Sequence, residues 1–155
     1  MKIAVVCANG KVGKLVVKEA MKRGLDVTAI VRGENKSLAE HTIIKDLFDL
    51  KKSNLDSFDT VVDAFGTWNP ESLPQHSTSL KKLCDLLSGT NKRLIVVGGA
   101  GSLYVNPEHT LQLMDTPDFP DMFKPLASNM GKALEELRSR DDVRWTCLLY
   151  TSDAA

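Results

Sequence analysis

The beginning of the chain constrains it most. A short apolar run within Lys2 to Val6 leads into Cys7-Ala8-Asn9-Gly10-Lys11-Val12-Gly13, and a helical pattern starts at once. A strand that enters a glycine-containing turn and opens a helix gathers free backbone N–H groups and a positive helix end at one point, where a phosphate can bind. The unbroken Ile3-Ala4-Val5-Val6 run suits a strand covered on both faces, as in parallel sheets. In the helix that follows, Val12, Leu15, Val16 and Ala20 are predicted to form the buried stripe, with Gly24 as the stop.

The alternation continues along the chain. Further strands are predicted over Asp26 to Val31, Thr42 to Lys45, Thr60 to Phe65, Arg93 to Val97, and from Val143 to Thr146. Helices are predicted near Lys51 to Ser57, through Leu80, Leu83, Cys84 and Leu87, and over Lys124 to Arg140 with Leu126, Met130, Ala133, Leu134 and Leu137 on its apolar stripe. Residues 102 to 121 carry Pro107, Pro117 and Pro120 and are predicted to be a long loop of the functional or flexible kind. The predicted fold class is α/β, a Rossmann-like doubly wound parallel sheet with helices on both faces. Right-handed crossovers then place ligands beyond the carboxyl ends of the strands. Those ends are Cys7 to Gly13, Arg32 to Gly33, Asp46 to Leu47, Phe65 to Thr67 and Gly98 to Ser102, and all but the third hold a glycine, which lets a ligand approach the backbone.

A length of 155 residues predicts one domain. The net charge of zero supplies no field for nucleic acid or an anionic membrane surface. No apolar run approaches the ~20 residues of a membrane span. The expected partner is therefore a small molecule, with no nucleic acid and no membrane, and the chain is expected to be a monomer or homodimer. Cys7, Cys84 and Cys147 are odd in number and far apart, which fits reduced thiols and a cytoplasmic location. His41, His76 and His109 lack metal-ligand spacing, so no metal site is expected. The last nine residues, Cys147 to Ala155, read CLLYTSDAA and resemble a translated sequencing adapter, although Cys147 to Tyr150 also suit a strand. They are expected to be a non-native tail on a truncated domain of residues 1–146. Truncation is expected to bare apolar surface on the last helix and strand and to lower stability.

Gly10 and Gly13 supply two of the three glycines of a dinucleotide fingerprint: one for close approach of a pyrophosphate, one for packing helix on strand. The alternative is a plain strand-to-helix turn. Cys7 takes the place of the first glycine, either as a small filler or as a thiol activated by the helix N-terminus. Asn9, Lys11 and Val12 complete the turn and are candidate cofactor contacts. Arg32 ends the second strand, where NAD-binding chains place a carboxylate; a guanidinium there suits the 2′-phosphate of NADP, unless it is a solvated surface group. Asp46, beside Leu47, either flanks an adenine or caps the next turn. Ala64, Phe65, Gly66, Gly98 and Gly99 are the remaining candidate cofactor contacts. For chemistry the candidates are Ser102, after the fifth strand, and Lys132, on the last helix, which could orient a ribose hydroxyl or relay a proton. Their alternatives are a turn residue and a solvated helix charge. Trp68 and Tyr104 lie in loops at the same edge, where they either shape a pocket or pack the loops.

The opening KIAVVCANGKVGKLVVKEAMKRGLDVTAIVR, with VVDAFG, RLIVVGGAGSLYV and DTPDFPDMFKP, resembles the NmrA-like, atypical short-chain dehydrogenase/reductase group, and within it the bacterial NADH-flavin reductase type. The likeness covers Met1 to Thr146. It implies a Rossmann fold with NAD(P) on Gly10 to Gly13, Arg32, the strand-four end and Gly98 to Gly99. The chain departs from the pattern at Cys7. It also lacks the Tyr-x-x-x-Lys pair of typical short-chain dehydrogenases, since Ser128 stands four residues before Lys132. The expected activity is hydride transfer from NADPH, preferred over NADH, to a flavin or quinone-like acceptor. The alternatives are a non-catalytic NADP-binding regulator and, less favoured by the missing pair, an epimerase or dehydratase on a nucleotide-sugar.

Overall fold

Six strands lie side by side, all parallel, in the order β3-β2-β1-β4-β5-β6. The computed structural model describes the backbone of residues 1–150 and the side chains of 1–149. The strands are β1 (Lys2–Val6), β2 (Asp26–Val31), β3 (His41–Ile44), β4 (Thr60–Asp63), β5 (Arg93–Gly99) and β6 (Arg144–Tyr150). The helices are α1 (Lys11–Lys22), α2 (Lys52–Leu55), α3 (Gln75–Leu87) and α4 (Lys124–Arg138). β1 sits at the centre, with Ile3 beside Val27 on one side and Thr60 on the other. Its apolar run is thereby covered on both faces, which explains the absence of alternation. This is the Rossmann-like fold.

Two apolar layers flank the sheet. On one face Val17 and Ala20 of α1 pack on Val5, Val27, Ala29 and Val62. On the other, Leu80, Leu83 and Leu87 of α3 and Ala133 and Leu137 of α4 pack on Ala4, Val61, Leu94 and Val96. α1 is rotated from the expected orientation: Gly13, Val17 and Ala20 are buried, while Leu15 is 56% exposed. The cause is Gly13, where an added Cβ would lie 2.5 Å from the Cys7 carbonyl oxygen and 2.8 Å from Ala8 Cα. The backbones touch there, so Gly13 rather than Leu15 sets the inward face.

β2 matches its expected span, and β4 is shorter than expected at its carboxyl end. β6 continues through Cys147 to Tyr150, paired with Val96 to Gly99. Cys147 to Tyr150 are therefore part of the sheet whatever their origin; residues 151–155 of the expected tail lie outside the described residues. Leu148 on β6 is 52% exposed. The segment from 102 to 121 is built of short 3-10 turns and one antiparallel bridge, Tyr104 to Gln112. The Asn106 side chain organises it, accepting from the Thr110 and Leu111 N–H groups. No helix among the described residues is long and apolar enough to cross a membrane.

Candidate functional site

The strand order reverses between β1 and β4, the switch point at which open parallel sheets bind ligands. A cleft of about 710 Å³ opens there. Its walls are the β1–α1 turn (Cys7, Asn9, Gly10), the end of β2 (Arg32, Gly33), Lys45 to Phe48 after β3, and Ala64 to Thr67 after β4.

The β1–α1 turn leaves the start of α1 without a side-chain cap. Gly10 caps α1 in extended backbone, and the first turn holds no acidic residue. The first backbone bond of the helix runs from Lys14 N–H to Gly10 O at 3.0 Å. The N–H groups of Lys11, Val12 and Gly13 are thus the unpaired donors of a helix start. Cys7 adopts φ +59°, the left-handed conformation that the missing glycine would take without strain. Burial pushes its thiol up to about 12; the nearby Asp63 carboxylate adds to this and Arg32 opposes it. A thiol raised by burial is the opposite of an activated one, which favours the reading of Cys7 as a small filler. Gly13 serves helix-on-strand packing, as described above, and does not line the cleft.

Asn9 lines the cleft, but its side chain is occupied elsewhere. Nδ2 donates to the Glu34 carbonyl at 2.8 Å, and Oδ1 accepts from the Lys36 N–H at 2.7 Å. It ties the glycine turn to the loop after β2 and holds Arg32 and Gly33 between them. Arg32 lines the cleft as expected, and Lys45 lines it too, a cation that the sequence reading did not single out. Asp46 caps the 3-10 turn at Leu47–Asp49, accepting from Phe48 N–H at 2.9 Å, while still bordering the cleft. Leu47 is buried in the core beneath it.

Ala64, Phe65 and Gly66 form the far wall, and Gly66 has open space where a Cβ would stand. Behind them, Asp63 is buried, and its Oδ1 accepts the Phe65 N–H at 3.0 Å. Burial pushes its carboxyl up to about 6, against the lowering effect of that hydrogen bond. His76 of α3 bonds through Nε2 to the Thr67 carbonyl at 3.2 Å, and its ring meets Phe65 edge-on at 5.4 Å. A carbonyl only accepts, so Nε2 carries the proton; burial lowers the ring's pKa and keeps it neutral at pH 7. The sequence signal for Asp63 was a single carboxylate in an apolar strand; for His76 there was none.

Other candidates stand apart from the cleft. Gly98 is tightly packed: a Cβ would fall 2.7 Å from Cys147 Sγ, so that side chain would have to shift. At Gly99 a Cβ would press on Met130 Sδ at 3.1 Å. Ser102 is buried against α4, its Cβ 3.4 Å from where a Gly131 Cβ would be. Lys132 is 70% exposed, faces Glu136 at 3.8 Å and lines a separate groove between α3 and α4. Lys11 and Val12 do not line the cleft with side chains. Trp68 meets Phe123 edge-on at 5.8 Å, and Tyr104 lies against His109. Among the described residues no cluster of His, Cys, Asp and Glu could hold a metal.

Residues 7–151 match the family described as NAD(P)H-binding. The chain is 44% identical over 151 residues to YwnB, an uncharacterised protein of Bacillus subtilis, covering 96% of this chain and 70% of YwnB. It is 53% identical to a Streptococcus pneumoniae protein of known structure, provisionally named an NADH-flavin reductase, with TM-score 0.93 over 96% of this chain and 71% of that one. It is 31% identical to a Bacteroides thetaiotaomicron structure provisionally named an epimerase, with TM-score 0.77 over 96% of this chain and 69% of that one. These findings agree with the resemblance to atypical short-chain dehydrogenases, and with a helix start whose free N–H groups fit a dinucleotide's phosphates. The chain belongs to the NAD(P)H-binding family.

Proposed function

We propose that this chain is an NADPH-dependent reductase that passes a hydride to a flavin or quinone-like acceptor. The observation that carries the cofactor preference is the pair of cations, Arg32 and Lys45, at the β2–β3 side of the cleft, with no carboxylate at the end of β2. Guanidinium and ammonium there would receive a 2′-phosphate, whereas a ribose diol would call for a carboxylate. The pyrophosphate would lie on the N–H groups of Lys11 to Gly13. Bound in the cleft, the nicotinamide supplies the hydride, and the chain's residues bind, orient and shield it.

The acceptor is inferred from two lines. The Streptococcus pneumoniae relative carries a flavin reductase name. A flavin-type acceptor also needs little acid catalysis, which suits a chain without Tyr-x-x-x-Lys and with Ser102 turned into α4. The placement of Ser102 and Lys132 favours a second reading, a regulator that binds NADP without turning it over. Mixing catalytic amounts of the chain with NADPH and free flavin separates them. Loss of the reduced-nicotinamide absorbance on every addition supports the reductase; binding of NADPH with no turnover of any flavin or quinone overturns it in favour of the regulator.

A further inference from the structure

A second, small pocket of about 30 Å³ lies behind the cleft's far wall, lined by Asp63, His76 and Ser79 together with Gly98, Met130 and Cys147. Ser79 is fully buried, and its Oγ has no hydrogen-bond partner among the described residues. Buried hydroxyls are nearly always paired. The space exceeds the ~10–15 Å³ that one water needs. Two other polar groups line it: among the described residues Asp63 is hydrogen-bonded only through Oδ1 and His76 only through Nε2.

The same two residues hold the cleft wall. Asp63 fixes the Phe65 N–H, His76 fixes the Thr67 carbonyl, and the two aromatic rings meet edge-on between them. Thr67 is further tied to Ser72 by a 2.6 Å hydroxyl pair. Neither Asp63 nor His76 lines the cleft itself, so each acts through the backbone it holds.

We propose that Asp63 and His76, bridged by a water held on Ser79, are positioning residues that set the Ala64–Thr67 wall in the one geometry that receives the dinucleotide. The proposal rests on the cofactor reading above. It also gives cofactor affinity a pH dependence. Asp63 is faced by Cys7 of the β1–α1 turn, by Cys84 and His76 of α3, by Cys147 of β6, and by apolar Met130 and Leu134 of α4. Burial raises all three thiols and lowers His76. The thiols therefore stay neutral, and His76 adds no charge at neutral pH. Asp63, near 6, takes up a proton as the solution is acidified and weakens its charge-assisted bond to Phe65.

The test is calorimetric titration of NADPH into the wild type, His76→Phe, His76→Gln, Ser79→Ala and Asp63→Asn, with thermal melts alongside. His76→Phe keeps the ring edge but loses the donor to Thr67, and binding is expected to weaken about tenfold. His76→Gln restores an N–H donor and is expected to come back within about threefold. Between about pH 7.5 and 5.5 the wild type is expected to lose more affinity than Asp63→Asn; the 2′-phosphate titrates equally in both, so the comparison cancels it. Wild-type affinity in His76→Phe, no rescue by His76→Gln, or identical pH slopes in the wild type and Asp63→Asn overturns the proposal. If His76→Phe fails to fold, Ser79→Ala, expected to weaken binding about threefold, and the Asp63→Asn slope decide it. A folded wild type that binds no NADPH overturns the cofactor reading itself, a result distinct from all of these.

Discussion

Replacing Asp63 by asparagine should stabilise the protein at neutral pH and do so less in acid. Asp63 is buried, with one hydrogen bond from Phe65 N–H and, among the described residues, no salt-bridge partner. Burial raises its pKa from an ordinary 3.8 to about 6. A carboxyl raised in the folded state favours folding in its neutral form. Its cost to stability is therefore absent below the unfolded value, grows as the pH rises from 3.8 to about 6, and is constant above. A difference of about 2 units at 1.36 kcal/mol each gives a cost of about 3 kcal/mol at pH 7.5. Asparagine keeps the carbonyl that Phe65 uses but adds an NH₂ whose burial costs about 1 kcal/mol even with Ser79 Oγ and the cavity water as partners. A net gain of about 2 kcal/mol corresponds to about 4–8 °C in Tm for a chain of this size. Thermal melts of both proteins at about pH 7.5 and 4.5 measure it, and the pH dependence of every other group cancels in the difference. A lower Tm for Asp63→Asn at the higher pH, or the same difference at both, refutes the reasoning.

The glycine turn makes three further claims checkable. Gly13→Ala should destabilise by about 1–3 kcal/mol in a urea melt, although alanine is the better helix former, because its Cβ meets backbone at 2.5 Å. Cys7→Gly removes a left-handed side chain and a half-buried sulfur together, so its stability should stay within about 1 kcal/mol of the wild type. The three thiols, all raised by burial, should resist a disulfide reagent at about pH 8 until denaturant is added; immediate labelling of Cys7 in the native protein contradicts the filler role.

The fold was legible because the apolar runs of β1 and β2 are continuous and the turns between elements carry glycine; both follow from a parallel sheet covered on two faces. The inward face of α1 was not legible, because Leu15 looks like a core residue and only the touching backbones at Gly13 turn it outward. The cleft was foreseen as a set of strand ends, and Arg32 lines it. Asn9 was foreseen as a cofactor contact but spends its side chain on the loop after β2, a partner 25 residues away that no local pattern announces. Gly98 and Gly99 were foreseen as cofactor contacts; their packing against Cys147 and Met130 was not, because it depends on long-range pairing with β6 and α4. Lys45 and His76 reach the site only through tertiary placement. Asp63 did leave a trace, a lone carboxylate in Thr60-Val61-Val62-Asp63, where an apolar strand end would be cheaper to bury.

Calorimetric titration of NADPH and NADH into the wild type, Arg32→Ala and Lys45→Ala tests whether this cleft holds a 2′-phosphate. If it does, NADPH binds more tightly than NADH, and each variant loses about tenfold or more of that preference while NADH binding changes little, as expected for one charge-assisted bond removed. Equal binding of the two nucleotides by the wild type contradicts the role given to Arg32 and Lys45. Binding of neither by a folded chain contradicts the cleft as a dinucleotide site altogether.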